Sequence, residues 1–285
     1  EAEIPLVVVD VMRGGPSTGL PTQGAQQDVM MPKWGTHGDH ATIAYAPASV
    51  TECYTLTVKA FNMAERFRQP VFVMSDAEVG HMREKFVVPE DNGEIISRVK
   101  PTCKPEDFVP YQADPVTEVP PMAGFGDGYR WHVTGLTTND WGFPTTNPAE
   151  IDKKMRRLMS KVDRCRDEVV EYETHMTDDA DILVVSYGSV SRCSVRAVND
   201  ARAEGIKVGH FRPVTLWPFA DKELEALVEA NGVKAVIVPE LNCGQMVNEV
   251  ERALHGKAKV VSLTRVDGEL MLPSEIYAQI VEEAK

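Results

Sequence analysis

The apolar positions of this chain change period from segment to segment, and the changes outline an α/β protein. Residues 4–11 (IPLVVVDV) are a near-continuous apolar run rich in β-branched side chains, the pattern of a parallel strand covered on both faces. Residues 42–46 repeat it in short form and end at Pro47. Ser49 then stands where a helix N-cap belongs, with Glu52 three residues on as its capping-box partner. Behind them Cys53, Tyr54, Thr57, Ala60, Phe61, Ala64 and Phe67 recur at helical spacing, a core-facing stripe that Pro70 stops. Residues 71–74 make a third strand, ending in Ser75 and Asp76. Strand, helix and strand with short joints predict a parallel βαβ crossover.

Over residues 87–148 the periodicity fades into Pro, Gly, Thr and Asn. So long an irregular segment inside a compact protein reads as a functional element or an interface arm, and Phe125, Trp131, Trp141 and Phe143 favour packing over disorder. From Ile151 one helix is predicted to about Glu173. Ile151, Met155, Leu158, Met159, Val162 and Val169 lie on its packed side, and a face dense in Lys, Arg, Asp and Glu reads as solvated. Beyond Asp178, strands at 182–186, 206–211, 235–239 and 259–263 alternate with helices near 192–204, 221–231, 244–254 and 273–284. Strict alternation predicts a small doubly wound parallel sheet.

At 285 residues the chain fits one large domain or two ordinary ones. A net charge of -13 argues against nucleic acid and against an anionic membrane surface as partners. No apolar run reaches membrane-spanning length, and the N-terminus lacks a basic region followed by an apolar core, so a cytoplasmic protein is expected. Cys53, Cys103, Cys165, Cys193 and Cys243 are dispersed with no C-x-x-C pair. That argues against a zinc ribbon or an iron–sulfur cluster held by this chain alone, and for reduced thiols that are mostly small core residues. The chain enters a central-looking strand after three residues and without an initiator methionine, so Glu1 is not expected to be the natural beginning.

Candidate chemistry gathers first at Arg13-Gly14-Gly15-Pro16-Ser17-Thr18-Gly19-Leu20-Pro21-Thr22. This loop opens off the C-terminal end of the first strand, where open α/β sheets bind ligands. Arg13 beside the hydroxyls of Ser17 and Thr18 and free loop amides suits a carboxylate or a phosphate. A polar turn with a solvated arginine fits the local residues equally well. Gly35-Thr36-His37-Gly38-Asp39-His40 precedes the second strand. His37, Asp39 and His40 suit proton transfer, or metal if further ligands came from elsewhere, and ordinary loop histidines remain an equal alternative. Belonging to the same sheet, the two loops could converge. Gly126-Asp127-Gly128 has the look of a thiamine diphosphate–metal signature but lacks the buried strand such a signature follows, so it reads as a glycine turn. The turn at 186–189 could hold an anion at a helix N-terminus, though closing a βα unit is its simpler role. The turn at 239–246 reads as helix capping, with Glu240 and Asn242 at the sheet's C-terminal edge. His81-Met82-Arg83-Glu84 could join the rim of the first two loops, with Gly80 in a tight turn.

Taken in order, R-G-G-P-S-T-G-L-P-T (13–22), G-T-H-G-D-H (35–40), A-F-N-M-A-E-R-F-R-Q-P-V (60–71), G-H-M-R-E (80–84), V-T-G-L (133–136), L-W-P-F (216–219) and V-P-E-L-N-C-G-Q-M (238–246) resemble the α subunit of 2-oxoacid:ferredoxin oxidoreductases. The 35–40 block is most similar to the 2-oxoglutarate branch. The resemblance implies a thiamine-pyrimidine-binding-type parallel sheet domain, incomplete at its N-terminus, over residues 1–175 with the irregular arm 87–148. A smaller doubly wound transketolase C-terminal-like domain would follow over 176–285. It also implies oxidative decarboxylation of 2-oxoglutarate with coenzyme A to succinyl-CoA and CO2, electrons passing to ferredoxin. Thiamine diphosphate with Mg2+ would be shared with a β subunit that holds the [4Fe-4S] clusters, so this chain would be inactive alone. By motif match Arg13 would grip the substrate carboxylate with Ser17 and Thr18 shaping the pocket, and His37, Asp39 and His40 would lie on the thiazolium side. The acid that activates the cofactor would come from a segment upstream of Arg13. Ferredoxins being generally acidic, docking would fall to the cluster-bearing partner. The alternatives are a sibling acting on pyruvate or a branched-chain 2-oxoacid, and a non-catalytic assembly subunit that binds the β subunit.

Overall fold

The computed structural model describes every residue but Asn92. The first strand, β1 (Leu6–Met12), leads through a loop to a short helix, α1 (Met31–Trp34), and then to β2 (Ile43–Tyr45). Helix α2 (Val50–Phe67) crosses to β3 (Pro70–Asp76), which runs straight into α3 (Ala77–His81). The predicted irregular arm follows, with one 3-10 turn at Pro105–Asp107. Then come α4 (Pro148–Asp163), α5 (Arg166–Val169), β4 (Tyr172–His175), β5 (Ile182–Val185), α6 (Gly188–Ala203), β6 (Val208–Pro213) and β7 (Thr215–Trp217). The chain closes with α7 (Asp221–Asn231), β8 (Ala235–Glu240), α8 (Met246–Leu254), β9 (Lys259–Thr264) and α9 (Pro273–Glu283).

Among the described residues, hydrogen bonding sorts the strands into a four-stranded sheet, β1-β3-β2-β7, and a five-stranded sheet, β4-β6-β5-β8-β9. The crossover predicted from 42–76 is there, with β2 and β3 parallel. In the second sheet β6-β5-β8-β9 is parallel, as the alternation required. Two strands were not legible. β4 adds an antiparallel edge to β6, and β7 leaves the second half of the chain to pair antiparallel with β2. One apolar cluster holds the sheets together, with Met12, Ala44 and Met74 packed among Leu183, Tyr187, Phe211 and Trp217.

Several expectations are corrected. β1 is not covered on both faces: it is a sheet edge, with Leu6 53%, Val9 58% and Val11 48% exposed. Apolar β-branched residues report strand preference, not which neighbours stand beside the strand. The buried row of α2 is Leu56, Ala60, Met63, Ala64 and Phe67, rotated so that Phe61 points to solvent. Ser49 caps that helix, accepting from Glu52 N–H at 3.2 Å, but Glu52 returns its carboxylate to Ala48 N–H (2.8 Å) rather than to Ser49. In the arm, Trp131 packs edge-on to Tyr111, whereas Phe125, Trp141 and Phe143 are exposed; the packed residues are Phe108, Tyr111, Val119 and Met122. None of the five cysteines is fully buried: Cys103 and Cys243 are exposed, the others intermediate, and all are unpaired.

The single helix predicted over 151–173 breaks at Cys165, whose backbone (φ -111, ψ 28) leaves the helical region. Its charged face is not simply solvated either. Lys154, Arg157 and Lys161 are buried, because the segment before β1 brings carboxylates to them. Glu3 accepts from Arg157 (2.5 and 2.9 Å) and Lys161 (3.2 Å), and Glu1 pairs with Lys154. Arg68 closes the cluster, donating to the carbonyls of Glu3, Pro120 and Pro121. Burial alone would raise the Glu3 pKa, but the charges of Lys161, Arg157 and Arg68 and the Arg157 hydrogen bond hold it down to about 2. Lys161 moves down as well, to about 8, because burial and its two cationic neighbours outweigh the one shared carboxylate.

Candidate functional site

β1 delivers Arg13 to the C-terminal edge of the first sheet, and the loop beyond closes on itself. Leu20 N–H donates to the Gly14 carbonyl at 2.9 Å, forming an isolated antiparallel bridge. Closure depends on Gly19, in the left-handed region at φ +52, where a Cβ would stand 1.8 Å from the Gly14 oxygen. Ser17 also takes a positive φ, of 55°, at the turn's tip. Such a conformation is costly for a serine and persists only where its surroundings enforce it.

The loop's polar ends divide into used and unused. The expected free amides are partly taken: Arg13 N–H donates to Asp28 Oδ2 (2.9 Å) and Gly15 N–H to Gln27 Oε1 (2.6 Å). The side chains are open. Arg13, Ser17 and Thr18 are exposed, and among the described residues their side chains make no hydrogen bond or ion pair. Arg13 borders a groove of about 490 Å³ along the open edge of β1, with Val8, Asp10, Val11, Ser17, Asp28 and Met31. Half-buried Asp10 is the one polar residue of β1. Burial and the Asp28 charge push its carboxyl up to about 6.

His37, Asp39 and His40 stand elsewhere. Met12 pairs with Asp76 on β3, whereas Ile43, just after the histidine loop, pairs with Val71. Val71 and Asp76 are about 17 Å apart along a strand, so the Arg13 loop and the His37–His40 loop sit at opposite edges of the sheet and do not converge within this chain. His37 and Asp39 are exposed. The His40 ring approaches the carbonyls of Gly38 and Pro32, both at 3.4 Å. Asp39 borders a separate groove with Asp152 and Arg156 of α4.

The rim after β3 is built by Asp76, which the sequence did not single out. One carboxylate oxygen caps α3 through Val79 N–H (3.0 Å); the other caps α6 through Ser189 N–H (2.7 Å). The helix N-terminus at 186–189 therefore receives an internal carboxylate. Gly188 (φ +58) permits it, since a Cβ there would lie 2.5 Å from Asp76 Oδ2. Gly80 is not in a tight turn but within α3, and His81 Nδ1 meets the Ala77 carbonyl at 2.8 Å. Glu84 caps α2 through Val50 N–H and pairs with Arg192 of α6, so this segment joins the two halves instead of lining the Arg13 groove.

The capping reading of 239–246 holds. Glu240, fully buried, accepts from the N–H groups of Met246 (2.8 Å) and Val247 (3.0 Å) at the start of α8. Asn242 Oδ1 accepts from Gly244 and Gln245 N–H. The same turn reaches the first sheet: Asn242 Nδ2 donates to the Gln26 carbonyl and Gln245 Nε2 to the Gln27 carbonyl, both at 2.8 Å. No local pattern announces these contacts, and only the lone acid in the apolar run of β1 could have marked Asp10.

For thiamine diphosphate the residues present fit one side of a site: an open groove at a strand end, a free guanidinium and two free hydroxyls. The donor set for a metal-bound diphosphate is a different matter. Asp127 closes its own turn, accepting from Gly124 N–H (3.0 Å) and pairing with Lys100 (3.1 Å). Among the described residues no three His, Cys, Asp or Glu side chains cluster as a metal ion requires.

Residues 1–157 match the family described as "Pyruvate flavodoxin/ferredoxin oxidoreductase, thiamine diP-bdg", and residues 180–276 match "Pyruvate:ferredoxin oxidoreductase core domain II". The 2-oxoglutarate synthase subunit KorA of Methanothermobacter marburgensis is 46% identical over 280 residues, covering 98% of this chain and 74% of that one. The ketoisovalerate oxidoreductase subunit VorB of Methanothermobacter thermautotrophicus is 34% identical over 285 residues, covering 99% of this chain and 72% of its own. A solved 2-oxoglutarate:ferredoxin oxidoreductase from Magnetococcus marinus, with 2-oxoglutarate, coenzyme A and succinyl-CoA bound, superposes with a TM-score of 0.88 at 29% identity. It covers all of this chain, which spans 49% of that longer one. A split-gene transketolase, at 14% identity and a TM-score of 0.52, shares the fold.

Proposed function

The chain belongs to the pyruvate flavodoxin/ferredoxin oxidoreductase family, and from that premise we propose that it is the α subunit of a 2-oxoglutarate:ferredoxin oxidoreductase. The complex cleaves the bond between the carboxyl and keto carbons of 2-oxoglutarate, releases CO2, forms the thioester succinyl-CoA, and passes the electrons to ferredoxin. Thiamine diphosphate, when bound, supplies the carbanion-stabilising chemistry of that cleavage. This chain's share is to hold the substrate. Arg13 grips the carboxylate, for which its planar fork is suited, and the Ser17 and Thr18 hydroxyls complete the polar wall. The observation that carries the reading is the Arg13 guanidinium at the end of β1, without a partner among the described residues, in a chain that aligns along 98% of its length with a 2-oxoglutarate synthase subunit.

Mg2+ and the [4Fe-4S] clusters are placed on the β subunit, whose surface also receives ferredoxin; the net charge of -13 here repels an acidic carrier. His37, Asp39 and His40 handle protons where another chain completes the surface around them. We put the boundary between the two domains near residue 175, with β4 (Tyr172–His175) already in the second sheet and β7 returning to the first. Five unpaired cysteines fit a cytoplasmic complex.

The test is a steady-state assay of the complex, this chain with its partner subunits, using several 2-oxoacids and a viologen dye. 2-Oxoglutarate is expected to give the highest kcat/KM; preference for a branched-chain 2-oxoacid would move the assignment to the VorB side of the family. Arg13→Ala is expected to raise the 2-oxoacid KM by about 100-fold, the loss of a charge-assisted bidentate contact. An unchanged KM would refute the carboxylate role.

A further inference from the structure

The Arg13 loop is held from the second sheet. Its two occupied amides end on Gln27 and Asp28, and the residues around them are fixed in turn by the turn between β8 and α8. Gln26 N–H donates to the Leu241 carbonyl (3.0 Å), and Leu241 N–H returns a bond to Gln26 Oε1 (3.3 Å). With the bonds from Asn242 and Gln245 to the carbonyls of Gln26 and Gln27, a continuous strap runs from that turn to the backbone on either side of Gly14. Gln26, fully buried, anchors it further through Nε2 to the Tyr187 carbonyl at 3.0 Å.

Two features separate this strap from ordinary adhesion between the halves. Adhesion is supplied elsewhere, by the shared apolar cluster and by the Arg192–Glu84 and Arg212–Glu52 ion pairs. Moreover, among the described residues Gln245 Oε1 is buried with no partner. An orphaned acceptor is a cost that an apolar side chain would avoid, so the polar contact of this side chain, from Nε2 to the Gln27 carbonyl, is what the glutamine provides.

We propose that Gln245 and Gln27 are positioning residues for the substrate carboxylate, through which the turn after β8 sets where the Arg13 guanidinium stands. The proposal rests on the reading of Arg13 given above, and two measurements keep the two apart. In the assembled complex, Gln245→Met removes the donor at nearly constant volume. It is expected to raise the 2-oxoglutarate KM about five- to ten-fold, the size of one neutral hydrogen bond. The KM for coenzyme A and the melting temperature should not change. Repeated in an Arg13→Ala background, the same substitution is expected to leave KM where Arg13→Ala alone put it, because both act through one guanidinium. Additive effects in that cycle, or a coenzyme A KM that rises in step, would overturn the proposal while leaving the Arg13 reading intact. Independently of activity, hydrogen exchange over residues 12–19 is expected to speed up in Gln245→Met and in Gln27→Ala; unchanged exchange in both would show that there is no strap.

Discussion

Glu3→Gln is the sharpest test of how the segment before β1 is secured. The native carboxylate is buried against Arg157, Lys161 and Arg68. Glu3 is held at about 2 against an ordinary 4.5, and at about 1.4 kcal/mol per unit that displacement represents about 3 kcal/mol of stability. Removing one partner of a buried ionic cluster costs about 3–5 kcal/mol by a separate route, so the two magnitudes agree. The folded-state value lies below the unfolded one, so this stability is present above about pH 4.5 and is lost as pH falls toward 2. Urea denaturation at pH 7 is expected to show Glu3→Gln about 3 kcal/mol less stable than the parent. Lys161, already pushed down to about 8, falls further without Glu3, and a lysine whose folded pKa lies below its unfolded one gains stability as pH rises. Glu3→Gln should therefore recover part of its loss between pH 7 and 9, and Lys161→Met in the same background should recover more. A Glu3→Gln protein whose midpoint matches the parent's at pH 7 would refute the reasoning.

Asp10 supplies a second pH-dependence of opposite sign. Its carboxyl is raised to about 6, so the neutral form beside the Arg13 groove grows as pH falls from 7 to 5. Anion binding there should tighten over that range, read as a falling 2-oxoglutarate KM, and Asp10→Asn should flatten the profile. Gly188→Ala would drive a Cβ to 2.5 Å from Asp76 Oδ2 at a positive φ; a loss of about 2–3 kcal/mol is expected in thermal unfolding, and a loss below about 0.5 kcal/mol would show that Asp76 can step aside.

What could be read from the sequence was what depends on near neighbours. The strands at 182–186, 235–239 and 259–263 are short apolar runs between helical stripes, and β5, β8 and β9 lie there. Arg13 was legible because its loop, its strand end and its hydroxyls are adjacent in the chain. β7 has three residues and β4 reads Tyr-Glu-Thr-His, too short or too polar for either period to register. The buried Lys154, Arg157 and Lys161 looked like a solvated face because their explanation, Glu3, lies 154 residues before Arg157. Gln245 and Gln27 are 218 residues apart in their contact, and nothing local in either marks the other.

β7 has a consequence for how this protein is made and how it can be cut. β7 pairs with β2 through Thr215 and Trp217, so the first sheet acquires its fourth strand only after residue 217 has been synthesised. Until then β2 waits on the nascent chain as an exposed edge, open to pairing with other molecules. A fragment ending near residue 175 would keep that edge for good. For this chain, a boundary drawn between the sheets is not a place to divide the gene.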